Sequence, residues 1–303
     1  MNENVFQDVI LPLQDENATS VIRWMQENNL LRREMKCEKC NEIMNWTKFA
    51  RSGDGFVWKC QNKECCAFKG TLSIRKGSFF NKSKITLQMW LHAMFLWAEG
   101  IGVETATHIL NLSRRTLVAI YNFFREICAK YFELNPIKIG GPGVIVQIDE
   151  SCFSHKPKHH RGRAPNSQIW VFGIADTSRT PAVGYMEIVE KRDAATLLPI
   201  IERVIQKGSI IYSDEWKAYS KIKNLGFKHM TVNHSQNFVG PNTNFYTQNV
   251  ESYWNKQKNR IRKMQGCRRS SLNMYLKEYM WRDRFSKNTF EALCHLIATQ
   301  YRL

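Results

Sequence analysis

The sequence predicts a multidomain α+β protein whose carboxy-terminal part is an α/β domain with a mixed sheet. Two close cysteine pairs lie within residues 37–66, and helical periodicity begins near residue 81. After the Pro/Gly-rich stretch at 135–143, strand-like and helix-like segments alternate. We therefore divide the chain into a helical amino-terminal segment (1–36), a cysteine-rich module (37–80), a helical module (81–135), and an α/β domain with carboxy-terminal helices (136–303).

Composition favours a folded protein with a polyanionic partner. The chain has 303 residues, 43% of them hydrophobic, and a formal net charge of +17. Such an excess of positive charge favours nucleic acid over a membrane surface, where basic residues usually concentrate on one amphipathic helix. We expect no signal peptide, because the acidic opening MNENVFQDVILPLQDE lacks a basic region and a long apolar core. No apolar run reaches the ~18 residues of a spanning helix, so a reducing compartment is expected.

The cysteine-rich module has the spacing of a zinc ribbon. CEKC contributes Cys37 and Cys40, and WKCQNKECC contributes Cys60 with either Cys65 or Cys66 about twenty residues later. Four thiolates on two hairpin knuckles are the usual ligands of a structural Zn²⁺ ion. The alternative is a set of ordinary buried free cysteines.

The helical module resembles a helix-turn-helix. TLQMWLHAMFLWAEG and VETATHIL precede the short NLS turn, and a long helix then opens on Arg114, Arg115 and Thr116. Ser113 is a plausible N-cap of this helix. The first turn of such a helix reaches base edges, so these three residues are predicted to bind DNA. A plain three-helix bundle with solvated arginines is the alternative.

Three acids in the α/β domain point to metal chemistry. VIVQIDE and IIYSDEW place Asp149 and Asp214 at the ends of two strands, and Glu251 lies on a helix with Trp254 and Lys258 on the same face. Converging carboxylates suit two Mg²⁺ or Mn²⁺ ions, which can activate an attacking oxygen and stabilise a leaving oxygen at phosphorus. Three acids placed on a strand, a second strand and a helix form the RNase H-like arrangement.

Simpler roles for acids in this domain remain open. Asp214 could cap a helix over EWKAYSKI, and Glu251 could be a solvated helix residue. Asp176 and Asp193 are rival acids, although the first looks like a turn residue and the second like a helix cap.

Two basic stretches and two tryptophans accompany the acids. We predict phosphate contacts from basic residues in HKPKHHRGR and in the helix after Glu251: Lys156, Lys158, Arg161, Arg163, Lys258, Arg262 and Lys263. Trp216 and Trp254 lie beside the acids and are expected to pack the core behind the metal site. Stacking on a splayed base is the less favoured role. NHSQNFVGPNTN could form a loop over the active site with His234 near the scissile phosphate, although a lone histidine in a loop is more often solvated.

Several segments together resemble a known family. SIRKGSFF, VIVQIDES, IIYSDEWKAY, TVNHSQNFV and TQNVESYWNKQK occur in an order similar to that of the Merlin superfamily of cut-and-paste DNA transposons and its bacterial insertion-sequence relatives. The resemblance covers about residues 37 to 285. It implies a DDE transposase with Asp149, Asp214 and Glu251 as first, second and third carboxylates. It also implies a phosphate-contacting Lys258, and we take Cys65 as the fourth zinc ligand.

The resemblance implies an enzyme that acts on double-stranded DNA. Such an enzyme binds terminal inverted repeats, cleaves the element ends, and joins the 3′-hydroxyl to target DNA with two Mg²⁺ ions. Because two ends must be processed together, we expect at least a homodimer, in the nucleus of a eukaryote or otherwise in the cytoplasm. A domesticated DNA-binding regulator without catalysis is the main alternative, and a structure-selective nuclease is a third.

Overall fold

The computed structural model describes residues 4–14, 18–153, 168–232 and 247–303. The chain forms two compact units. The amino-terminal unit contains Met1–Ile127 and Lys287–Leu303, and the sheet unit contains Cys128–Ser286. Within the described part of the chain, every helix is too short or too polar to cross a lipid bilayer.

The amino-terminal unit begins with helical turns and a small sheet. A π-helical turn at Phe6–Ile10 and α1 (Leu11–Gln14) precede the amphipathic α2 (Ala18–Glu27). The antiparallel strands that follow are β1 (Asn45–Lys48), β2 (Phe56–Lys59) and β3 (Thr71–Ser73). The central strand pairs Trp58 with Trp46 on one side and Leu72 on the other, so aromatic and apolar pairs stabilise this sheet.

A buried ion pair fixes the segment SIRKGSFF after β3. The Arg75 guanidinium donates to both carboxylate oxygens of Asp54 in the β1–β2 turn, and both residues are buried. Arg75 also donates to the carbonyl oxygens of Ser83 (3.1 Å) and Ile85 (2.7 Å). Because its donors are used within the unit, this arginine has a structural role.

Four helices complete the amino-terminal unit: α3 (Leu87–Ala98), α4 (Val103–Leu110), the first part of α5 (Arg114–Leu134), and the last helix, α9 (Thr289–Gln300). The Thr86 hydroxyl caps α3 by accepting from the Met89 N–H at 3.2 Å. Asn111, with φ of 49°, ends α4, and the Ser113 hydroxyl accepts from the Thr116 N–H at 3.1 Å. The predicted N-cap at Ser113 is therefore confirmed.

The sheet unit contains the predicted mixed sheet. Its strands are β4 (Ile145–Cys152), β5 (Trp170–Asp176), β6 (Val183–Val189), β7 (Ile210–Asp214) and β8 (Lys228–Val232), in the order β6-β5-β4-β7-β8. β4, β5 and β6 are antiparallel, whereas β7 is parallel to both β4 and β8.

Helices cover both faces of this sheet. On one face, α6 (Ala194–Val204) packs with Val146, Ile148 and other apolar strand residues. On the other, α7 (Gln248–Lys263) and α8 (Leu272–Arg284) pack on Val171, Ala175 and Met186. Since side chains alternate along a strand, residues 147 and 149 of β4 point towards α7 and α8.

One predicted helix is absent. EWKAYSKIKNLG forms two short 3₁₀ turns, Lys217–Tyr219 and Ile222–Leu225, instead of a continuous helix. The Asp214 carboxylate accepts from the Trp216 N–H at 3.0 Å, and Trp216 has extended backbone angles. This local turn competes with helix formation, so Asp214 is a turn former here and caps no long helix.

Candidate functional site

The first two predicted acids lie side by side at one edge of the sheet. The β4–β7 register pairs Val146 with Ile211 and Gln147 with Tyr212. Because the strands are parallel, continuing this register by two residues brings Asp149 level with Asp214. Both side chains are half-buried. The sheet topology therefore brings together two carboxylates that are far apart in the sequence.

Two hydrogen bonds attach α7, which carries Glu251, to β4. The Gln147 side-chain oxygen accepts from the Val250 N–H at 3.0 Å, and the Trp254 indole N–H donates to Asp149 Oδ2 at 3.1 Å. Trp254 is buried, as predicted, whereas Glu251 is exposed. The third acid thus sits at the start of a helix that is fixed to the strand of the first acid.

Gly173 makes room for the indole. It pairs with Asp149 across β4 and β5, and an added Cβ would lie 2.3 Å from Cζ2 of Trp254. Any larger residue would displace the ring that bonds the Asp149 carboxylate.

The acids influence one another electrostatically. Burial raises the pKa of Asp149 to about 6, and the negative charges of Asp214 and Glu251 add to this increase. Hydrogen bonds from the backbone and from Trp254 oppose the increase. Such a carboxyl is costly to ionise in the folded protein unless a cation lies beside it.

Glu150, which the sequence did not single out, also lies near these acids. Burial raises the pKa of Glu150 to about 7, with contributions from Asp149 and Asp214. The Tyr219 hydroxyl donates a hydrogen bond to Glu150, and the positive charge of Arg192 lowers the pKa of this carboxyl. Glu150 was visible in the sequence as the residue after Asp149, but its partners come from distant elements.

Lys258 lies close to the first acid. Burial lowers the pKa of the half-buried Lys258, while the nearby Cys152 and Asp149 raise it. Its ammonium group is 5.5 Å from the centre of the Phe153 ring, which contacts Trp254 edge-on. The predicted spacing of Lys258 from Glu251 therefore places this cation on the same side of the sheet as Asp149.

The rival acids have structural roles. Asp176 accepts from the Ser178 N–H at 2.8 Å and the Gly140 N–H at 3.2 Å, which fits the predicted turn. Asp193 caps α6 by accepting from the Thr196 N–H at 2.9 Å, as expected. Both carboxylates therefore have local partners, one in a turn and one at a helix N-terminus.

The four predicted zinc ligands form a compact cluster. The sulfur atoms of Cys37, Cys40, Cys60 and Cys65 all lie within 4.8 Å of one another, and Cys66 is exposed outside the cluster. The Cys37–Cys65 and Cys40–Cys60 sulfur pairs are each 3.9 Å apart. Tetrahedral zinc with Zn–S bonds of about 2.3 Å requires sulfur separations of about 3.8 Å, so the residues fit this ion.

Local backbone supports the thiolate form of one cysteine. Backbone N–H groups of Cys40 and Lys39 lower the pKa of Cys37 to about 7, whereas burial raises the pKa of Cys60 to about 12. A bound cation would favour the thiolate at each position.

Comparison with known proteins identifies the family. The ISXO2-like transposase domain matches residues 140–283, which include all three acids. A transposase-like protein of Haemophilus influenzae is 35% identical over 98 residues, which are 32% of this chain and 78% of the relative. The chain belongs to this transposase family.

Two solved structures have weak similarity to the transposase. A chain of the simian T-cell lymphotropic virus intasome with PP2A regulatory subunit B56 gamma has 14% identity and a TM-score of 0.30, covering 63% of this chain and 67% of that one. A pre-cleavage Mos1 transpososome has 10% identity and a TM-score of 0.27, covering 69% and 75%. Both TM-scores are low.

The acids of the transposase are less tightly grouped than its cysteines. Among the described residues, the four cysteines are the single group of three or more ligands whose atoms all lie within 4.8 Å of one another. Asp214 and Glu251 are near enough to Asp149 for their negative charges to raise its pKa. The carboxylate oxygen atoms of the three acids do not all lie within 4.8 Å of one another.

The predicted DNA contacts of the transposase fall into three groups. Arg115 is exposed, Arg114 forms an exposed ion pair with Glu104, and the Thr116 hydroxyl is 2.8 Å from that of Ser113. Arg262 and Lys263 are exposed at the end of α7. The predictions that lie outside the described residues are those for Lys156, Lys158, Arg161, Arg163 and His234.

Two basic residues of α7 are partners of a buried acid. Asp283 of α8 is 2.7 Å from the Lys256 ammonium and 3.0 Å from the Arg260 guanidinium, and it accepts from Gln257 at 2.7 Å. Neither of these two residues is among the phosphate contacts predicted for this helix. They neutralise a charge between the helices.

Proposed function

We propose that the protein is a metal-dependent DNA transposase with a DDE triad of Asp149, Asp214 and Glu251. It binds the inverted repeats of an element, cleaves the element ends, and joins the 3′-hydroxyl to target DNA. One observation carries this proposal: Asp149 and Asp214 lie level on neighbouring parallel strands, and the third acid lies on a helix hydrogen-bonded to the first strand. Only Asp214 ends its strand, because β4 continues beyond Asp149 to Cys152, contrary to the sequence prediction of a strand end at Asp149. The five-stranded mixed sheet supports assignment to the RNase H-like fold.

The chemistry of the acids fits divalent metal. Carboxylate oxygens are the ligands that Mg²⁺ and Mn²⁺ prefer. Burial, and to a smaller extent the charges of Asp214 and Glu251, raise the pKa of Asp149, and a cation beside this carboxylate would offset both effects. When bound, two such ions would activate the attacking oxygen and stabilise the leaving oxygen of a phosphodiester. Trp254 holds Oδ2 of Asp149, which orients the carboxylate. Lys258, beside Asp149, would contact a DNA phosphate.

The amino-terminal unit would bind double-stranded DNA. Zinc on the four cysteines would stabilise a zinc ribbon, and α4 and α5 would act as a helix-turn-helix with Arg115 towards the bases. Two element ends require at least a homodimer, in the nucleus if the host is eukaryotic or otherwise in the cytoplasm. Within the transposases, the order of motifs favours the Merlin superfamily and its insertion-sequence relatives.

The test is a cleavage and joining assay. The full chain is incubated with Mg²⁺ and a labelled duplex that carries the inverted repeat flanking its own gene. We expect nicked and joined products from the wild type. Asp149→Asn, Asp214→Asn and Glu251→Gln should each lower the rate about 100-fold or more, since even outer-shell changes cost about 10- to 100-fold. Binding to the duplex should persist.

Asp193→Asn is the matched control, because it makes the same chemical change at a helix cap in the same unit. It should retain cleavage. A wild type that binds the repeat without cutting it would favour the DNA-binding regulator. Cutting without joining would favour the nuclease.

A further inference from the structure

Trp216 is a large exposed aromatic residue beside the acids. Its side chain is 45% exposed, so the expected core packing is wrong for this residue. The indole is nevertheless fixed, because its N–H donates to the Arg192 carbonyl oxygen at 3.2 Å and its backbone N–H donates to Asp214 at 3.0 Å. With its ring nitrogen already paired, Trp216 offers solvent mainly an aromatic surface.

Arg192 connects this ring to a second indole. Its guanidinium carbon lies 3.6 Å from the centre of the Trp170 ring and 5.5 Å from that of Trp216. Trp170 is half-buried, and its own N–H donates to the Gln168 side chain at 3.2 Å. Two indoles and a planar cation therefore form one assembly, which we call the Trp216 platform.

The Trp216 platform lies at the same sheet edge as the acids. Trp170 begins β5 opposite Cys152 at the end of β4, and it pairs with Val189 at the end of β6. Arg192 follows β6 by three residues, and Trp216 follows Asp214 at the end of β7 by two. The charge of Arg192 acts on Glu150, which is the neighbour of Asp149. Trp170 packs on the α6 face of the sheet, whereas Asp149 points to the α7 face, so nucleic acid that spans the ends of β4 and β7 would meet both.

We propose that the Trp216 platform binds an unpaired base of a DNA strand held at the acids. This proposal rests on the proposed function. An exposed, fixed aromatic face next to a guanidinium favours a planar base on an anionic backbone, because stacking and cation–π attraction act on the same ligand. Stacking does not depend on base identity, so the platform selects single-stranded over paired nucleotides and carries no sequence preference.

The experiment compares two DNA probes by fluorescence anisotropy on the full chain without added Mg²⁺. One probe is a blunt duplex, and the other is the same duplex with a short single-stranded 3′ extension. Wild type should prefer the extended probe. Trp216→Ala should weaken binding of that probe by about 5-fold to about 140-fold while leaving the blunt duplex unchanged. Trp216→Phe should retain part of the preference.

Tyr301→Ala is the matched control, since Tyr301 is also an exposed aromatic residue, at 39%, but lies in the other unit and outside α4 and α5. It should leave the preference for the extension intact. Thermal melting shows whether Trp216→Ala is folded. If it is not, Trp216→Leu replaces it, because leucine keeps apolar bulk without an aromatic face and should lose the preference for the extended probe in the same way.

Equal losses on both probes, or no loss on the extended one, would overturn the proposal. 2-Aminopurine in the extension gives a second measurement, because stacking on an indole should quench its fluorescence with wild type and leave it bright with Trp216→Ala. Failure of the proposed function is seen separately, as absence of cleavage with Mg²⁺ while the preference for the extension persists.

Discussion

Replacing Asp149 with Asn should stabilise the protein when no Mg²⁺ is added. The pKa of Asp149 is raised from 3.8 to about 6, mainly by burial and further by Asp214 and Glu251. A carboxyl whose folded-state pKa is above its unfolded value stabilises the folded state only while it is protonated. That stabilisation is fully present below about pH 4 and is lost as the pH rises through about 6. An amide stays neutral throughout and can still accept the Trp254 hydrogen bond.

The magnitude follows from the size of the pKa change. A difference of about two pKa units corresponds to about 3 kcal/mol, of which about half is already lost at pH 5. Because Asp149 is only half-buried, solvent screening reduces these values. We expect Asp149→Asn to exceed wild type in free energy of unfolding by about 1 kcal/mol at pH 5 and about 2 kcal/mol at pH 8.

Urea denaturation at both pH values, with and without Mg²⁺, measures this difference. Mg²⁺ should stabilise wild type and have little effect on Asp149→Asn. Asp193→Asn is the control, since hydrogen bonds from Thr196 lower the pKa of Asp193 and its carboxylate stabilises the fold at high pH. If Asp149→Asn is less stable than wild type at pH 8 without Mg²⁺, the carboxylate is a structural partner and our argument for a cation site is wrong.

Three further predictions concern the packing of Trp254, the zinc site and a buried ion pair. Gly173→Ala should displace Trp254 and cost about 1–3 kcal/mol with slower cleavage, whereas Gly53→Ala, which meets open space, should cost little by the same denaturation and rate measurements. Cys40→Ser should remove bound zinc in a metal analysis and weaken binding to the inverted repeat; retention of stoichiometric zinc would contradict the four-cysteine site. Asp54→Ala should leave a buried arginine unpaired and lower the free energy of unfolding by about 3–5 kcal/mol, and a loss below 1 kcal/mol would show that the pair is dispensable.

Local patterns in the sequence predicted the elements that carry the acids. Short apolar runs ending in Asp149 and Asp214 indicated strands. These two strands are parallel neighbours in the sheet, and their register places the two acids level with each other. The choice of Cys65 over Cys66 was open on spacing, because gaps of four and five residues are both possible. The structure places Cys65 in the cluster because its sulfur lies 3.9 Å from that of Cys37.

The partners of the acids depend on contacts between distant segments, and the periodicity of the sequence does not reveal such contacts. The donor to Asp149 is Trp254, more than a hundred residues later, and the space for it exists because Gly173 on another strand lacks a side chain. Likewise, the cations that neutralise Asp283 look identical in sequence to those that face solvent. Only the packing of α7 against α8 distinguishes them.

The attachment of α7 to β4 has a consequence for how this family can diverge. Val250 and Trp254 are hydrogen-bonded to Gln147 and Asp149. The position of Glu251 therefore depends on the attachment of α7 to β4 and not on the length of chain that follows β8. Insertions or deletions between β8 and α7 can then accumulate without moving the third acid. Variation in length is expected to be large in that connection and small between Glu251 and Trp254, where one added residue would rotate the acid away from its partners.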